Sequence, residues 1–175
     1  MKHTLFTLLV SLTCGIAAEK PNIIYIMADD LGYGDLGCFG SKRNKTPNID
    51  ALAKGGVRLT DFHAASWCAP SRRALMTGCH AQRVGVDNVV YRREEIGLHA
   101  NEITVAELLK TADYATGMVG KWHLGEWDDF NPVHHGFDSF FGLLECDDRK
   151  STAIYRNKEI FEKVKHKTNG LHSPK

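Results

Sequence analysis

Residues 22–28, Asn-Ile-Ile-Tyr-Ile-Met-Ala, are a nearly continuous apolar run rich in isoleucine, and they end directly on Asp29 and Asp30. A run that is apolar on both faces suits a strand buried on both sides, the pattern of a parallel sheet covered by helices. The two carboxylates at its carboxyl end add a second constraint. Like charges repel, and burial raises the cost unless a cation neutralises them. A hard divalent cation bound through oxygen does this, with Ca²⁺ and Mg²⁺ the natural choices; a solvated turn is the other reading.

Two later segments repeat the arrangement. Residues 57–64 are expected to form a second strand that delivers the chain to Ser66, Trp67 and Cys68, and residues 116–120 a third that leads into Lys121-Trp122-His123-Leu124-Gly125. In an open α/β sheet the carboxyl ends of strands are where ligands bind. Alternation along an extended segment puts Lys121 and His123 on one side. A helix is expected over 46–55, with Thr46 as cap, Pro47 at its first position, Gly55-Gly56 at its end, and Ile49, Leu52 and Ala53 on a buried face. Thr104-Val105-Ala106-Glu107 reads as a capping box for a helix through Lys110. Residues 154–160 alternate around a polar centre and read as a hairpin, while His134 and His135 are assigned to a surface loop.

Trp67 to Gly78 carries the chemistry. Pro70 suits a first helical position, Arg73 to Met76 are good helix formers, and Gly78 is a stop. Cys68 then lies just ahead of a helix start, where free amides and the helix dipole favour an anion. Arg72 adds a planar fork of donors that fits a tetrahedral oxyanion. A structural cysteine beside a surface arginine is the alternative.

Cys68-Ala69-Pro70-Ser71-Arg72, followed by a helix and Thr77-Gly78, resembles the signature of the type I sulfatases. Gly120-Lys121-Trp122-His123-Leu124-Gly125 resembles their second signature, and Asp29-Asp30 with Leu31 to Gly37 looks like their first metal-binding segment. Gly136 to Gly142 resembles a segment that follows in arylsulfatase-like members. Cys79 departs from the pattern, which often has arginine there. The resemblance implies an α/β, alkaline-phosphatase-like fold, with a mixed, mostly parallel sheet sandwiched by helices and incomplete at the C-terminus. It implies that Cys68 is oxidised before folding to formylglycine by a formylglycine-generating enzyme, and that Asp29, Asp30 and residue 68 ligate a divalent cation, usually Ca²⁺. Arg72 and Lys121 would offset sulfate charge, and His123 would take a proton from the hydrated aldehyde. The substrate would be a sulfate ester, an aryl sulfate or a sulfated glycan. The family's further metal ligands, a second histidine and a second lysine find no counterpart here. The chain therefore reads as the N-terminal part of a sulfatase catalytic domain, residues 18–175, a truncated chain with little activity alone.

Gly32-x-Gly34-x-x-Gly37 satisfies a dinucleotide fingerprint, but Asp29-Asp30-Leu31 separates it from the strand and two carboxylates would repel a pyrophosphate. A phosphoester or phosphonate hydrolase of the same superfamily can share the Cys-x-Pro-Ser-Arg motif. A thiol enzyme pairing Cys68 with His123 gives Asp29-Asp30 no role, and a non-catalytic secreted fragment is a further rival. Residues 1–17 read as a signal peptide: Lys2 and His3, an apolar run too short for a stable membrane span, then Gly15 and Ala17 at a cleavage site. The mature chain is thus expected in a secreted or periplasmic setting, where Cys38, Cys68, Cys79 and Cys146 could form disulfides in any of several pairings. A formal net charge of +1 argues against a nucleic-acid-binding surface spread over the whole protein.

Overall fold

The computed structural model describes residues 19–85, 88–90, 95–145 and 151–165; the expected signal peptide at 1–17 and Cys146 lie outside them. Among the described residues there are three α-helices, α1 (Pro47–Gly55), α2 (Cys68–Thr77) and α3 (Val105–Lys110), and four strands, β1 (Gly117–Lys121), β2 (Ser139–Leu143), β3 (Ser151–Arg156) and β4 (Glu159–Lys165). The strands make one mixed sheet in the order β1-β2-β3-β4. β1 runs parallel to β2, from Gly117 opposite Ser139 to Lys121 opposite Leu143. The β2–β3 and β3–β4 pairs are antiparallel.

The parallel pair requires glycine. A Cβ on Gly142 would lie 1.9 Å from the Gly120 carbonyl oxygen, and Gly120 has φ 113°. Pairing then continues beyond β1: Trp122 N–H donates to Leu143 O at 2.8 Å and His123 N–H to Leu144 O at 3.0 Å. The sheet thus fixes the backbone of the Lys-Trp-His segment on which the candidate site depends. Beneath it lies the core of Ala69, Val90, Leu98, Trp122, Leu124, Phe140 and Leu144. Burying each large member stabilises the fold by roughly 1.5–3 kcal/mol.

The expected hairpin at 154–160 is the β3–β4 turn. Asn157 takes φ 55° there, a left-handed conformation asparagine tolerates. The capping box is present: Thr104 Oγ1 accepts from Glu107 N–H at 3.1 Å, and Glu107 Oε2 accepts from Thr104 N–H at 2.7 Å. α2 begins two residues earlier than expected, with Pro70 at its third position rather than its first. Cys68 is its first residue, because Ser71 N–H already bonds Trp67 O at 3.1 Å, and Gly78 closes it with φ 67°. Pro70 costs nothing in that first turn, whose amides have no intrahelical partners.

Other expectations require correction. Residues 22–28 and 57–64 are not strands, and Ile24, Ile26 and Val57 are 85%, 82% and 86% exposed. A strand exists only against a neighbour. Between residues 23–29 and β1 runs a groove of about 480 Å³, with Ile23, Tyr25 and Met27 on one side and Met118 on the other. The face of α1 bearing Ile49 and Leu52 is exposed for the same reason. Thr46 occupies the N-cap position without capping through its side chain. Its hydroxyl instead accepts from Gly37 N–H at 2.9 Å and donates to Asp50 Oδ1 at 3.0 Å, and Asp50 also takes Cys38 N–H at 2.7 Å. The glycine-rich loop is therefore stapled to α1. His135 is not in a surface loop either: it is buried, with its ring 5.8 Å from that of Trp122.

Candidate active site

Three segment ends meet. Asp29 follows the apolar run 22–28, Arg72 stands one turn into α2, and Lys121 ends β1. Asp29 Oδ1 accepts from the Arg72 guanidinium at 3.0 Å and Asp29 Oδ2 from Lys121 Nζ at 2.7 Å. Arg72 also donates to the Lys121 backbone carbonyl, so one side chain ties the helix start to both other segments. Burial pushes the Asp29 carboxyl upward, but the hydrogen bonds and charges of Lys121 and Arg72 outweigh it and hold the group below its ordinary range.

The second contact joins α2 to the segment just beyond β1. Cys68 Sγ is 3.1 Å from His123 Nδ1. On the other side of the ring, His123 Nε2 is 3.1 Å from Val90 O. A carbonyl only accepts, so Nε2 carries the proton in the neutral ring and Nδ1 presents its lone pair to residue 68. Burial and the charge of Lys121 push the His123 imidazolium down in pKa, favouring that neutral form. His123 also has φ 59°, a strained value for a non-glycine residue of the kind that clusters at functional sites.

Cys68, Arg72, Lys121, His123 and Asp29 are thus brought together. Asp30 is not: it is exposed, has φ 55°, and among the described residues no hydrogen bond or ion pair holds its side chain. The two carboxylates are hard oxygen donors of the kind Ca²⁺ or Mg²⁺ takes, so they fit such an ion in kind. Among the described residues they do not join a group of three His, Cys, Asp or Glu that could hold a metal. Cys38, Cys68 and Cys79 are free thiols. The Val90 carbonyl was not visible as a partner in the sequence, because a backbone acceptor leaves no residue-type signal.

A family model described as Sulfatase matches residues 21–167. The chain is 50% identical to human arylsulfatase A over 142 residues, covering 78% of this chain and 28% of that protein. It is 49% identical to human steryl-sulfatase over 140 residues, covering 73% and 24%. A solved structure connected with the metabolism of multiple glycosaminoglycans by Bacteroides thetaiotaomicron superposes with a TM-score of 0.74 at 40% identity, over 82% of this chain and 32% of that one. The chain spans less than a third of the length of each of these relatives.

Proposed function

Because this chain belongs to the sulfatase family, we propose that it carries the nucleophile-bearing part of a sulfuric ester hydrolase. The observation that carries the reading is the convergence of three segment ends on one spot, with Asp29 held by Arg72 and Lys121 and with His123 Nδ1 aimed at residue 68. The alkaline-phosphatase-like fold of the family supports the reading, because in open α/β sheets ligands bind at the carboxyl ends of strands.

In the structure residue 68 is cysteine, whose sulfur stands where a hydroxyl oxygen of hydrated formylglycine would lie. Converted and hydrated, that residue would supply one hydroxyl to attack the sulfur of a sulfate ester, with the S–O bond to the alcohol breaking and the alcohol leaving protonated, and a second hydroxyl whose deprotonation would expel the sulfate and restore the aldehyde. Asp29, Asp30 and residue 68 would hold part of the shell of a divalent cation, Ca²⁺ with Mg²⁺ as alternative, which lowers the pKa of such a hydroxyl and polarises sulfate. Arg72 and Lys121 offset charge on the sulfate oxygens, with fixed donors that need little reorganisation. His123 accepts a proton from residue 68 through Nδ1, its ring held by the bond from Nε2 to Val90 O.

The motif is largely buried once folded: Ala69 and Arg72 are 1% and 8% exposed. A formylglycine-generating enzyme would therefore meet Cys68 before the chain folds. Aryl sulfates and sulfated glycans both remain within the substrate class. Residues 1–17 would direct export to a secreted or periplasmic setting; among the described residues no helix is long and apolar enough to cross a membrane. A second reading, thiol catalysis by Cys68 with His123, draws on their 3.1 Å contact but gives Asp29, Arg72 and Lys121 no role. Parallel assays with an aryl sulfate and an aryl phosphate, on a complete enzyme carrying this segment and converted at residue 68, test the proposal. Preferential cleavage of the sulfate ester is expected; faster cleavage of the phosphate ester would favour a phosphoester hydrolase.

A further inference from the structure

We propose that Asp29 couples the cation and oxyanion sites: it masks Arg72 and Lys121 from an incoming oxyanion and releases them when a divalent cation takes its carboxylate oxygens. This rests on the reading above and adds the order in which the site opens. Each Asp29 oxygen faces one cation, Oδ1 Arg72 at 3.0 Å and Oδ2 Lys121 at 2.7 Å. Those two side chains are only 10% and 17% exposed, whereas Asp29 is 39% exposed. Solvent therefore reaches the carboxylate more readily than the cations behind it.

A sulfate arriving at Arg72 and Lys121 must compete with a carboxylate already in place and is repelled by it. A divalent cation arriving at Asp29 must compete with the same two side chains. Either ligand alone meets opposition, and the two together remove it: the metal takes the carboxylate and the oxyanion takes the cations. Lys121 is the moving part, because its ammonium carries rotatable donors on a flexible stem. Arg72 is pinned by its bond to the Lys121 carbonyl. Linkage requires the effect to be reciprocal, so that each ligand raises the affinity for the other by the same factor.

Calorimetric binding of inorganic sulfate and of Ca²⁺ to the 175-residue chain tests this, with chloride balancing ionic strength. In chelator, Asp29→Asn is expected to bind sulfate at least about tenfold tighter than wild type, and Lys121→Met in that background to abolish the gain. Saturating Ca²⁺ is expected to tighten sulfate binding by wild type about tenfold, and much less in Asp29→Asn. If Asp29→Asn binds sulfate no tighter than wild type, or not at all, the masking role is overturned. If Ca²⁺ binds wild type but leaves its sulfate affinity unchanged, the coupling is overturned while the metal-binding reading stands. If Ca²⁺ does not bind but Asp29→Asn still unmasks sulfate binding, the metal-binding reading fails and the masking role survives.

Discussion

Cys68 and His123 face each other across 3.1 Å, and a substitution at either should separate chemistry from folding. Cys68→Ala removes the thiol without which Cβ cannot be oxidised to the aldehyde, so turnover of an aryl sulfate by a complete enzyme carrying this segment should fall to background; unchanged turnover would remove residue 68 from the mechanism. His135 answers to pH. Burial disfavours its charged form and pushes its pKa below the ordinary 6.5, with the charge of Glu107 acting the other way. Below pH 6.5 the unfolded chain therefore binds more protons than the folded one, so stability is retained above that value and lost as pH falls through it. His123, shifted in the same direction, adds to the loss. The urea midpoint should drop between about pH 7.5 and 5.5, and His135→Phe should flatten that dependence. Only part of this was legible in the sequence. Arg72 and Lys121 announced themselves through residue type and spacing, whereas the burial of His135 depends on Trp122, which packs against it from another segment.

The elements that formed as expected are those whose signals are local. The capping box at Thr104 and Glu107 is specified within four residues. Thr104→Ala should lower stability by about 1 kcal/mol in urea titrations through the lost cap, and by more through the bond from its hydroxyl to His135 O at 2.8 Å. The apolar run at 116–120 became β1 because β2 offers it a parallel partner. Gly142→Ala should break that pairing, since its Cβ would overlap the Gly120 carbonyl, at a cost of roughly 1–3 kcal/mol or more. A midpoint unchanged from wild type would contradict the close approach of β1 and β2. The run at 22–28 carries an equally strong apolar signal but forms no strand. Periodicity reports that a segment wants burial; it does not report whether a neighbour is at hand to pair with it.

For the whole molecule, those unpaired runs leave a surface unlike that of an ordinary soluble domain. Ile24, Ile26, Val57, Phe62 and Val119 are all well exposed, and apolar side chains left bare in this number favour association. The purified chain should self-associate in a concentration-dependent way in sedimentation experiments and bind an apolar dye; a dye-silent monomer would mean these residues are covered in solution. The site survives this openness because it is held by charge and by the sheet, at the ends of segments whose middles are bare. That arrangement explains why its residues were readable from sequence while the packing around them was not.

The chemistry proposed for the site depends on the state of residue 68. The chain should be made in the presence of a formylglycine-generating enzyme and the peptide spanning Trp67 to Thr77 examined by mass spectrometry. An aldehyde in place of the Cys68 thiol, as formylglycine or its hydrate, is the expected result; a peptide that keeps its thiol, or carries it in a disulfide, would contradict the sulfatase mechanism proposed for this site.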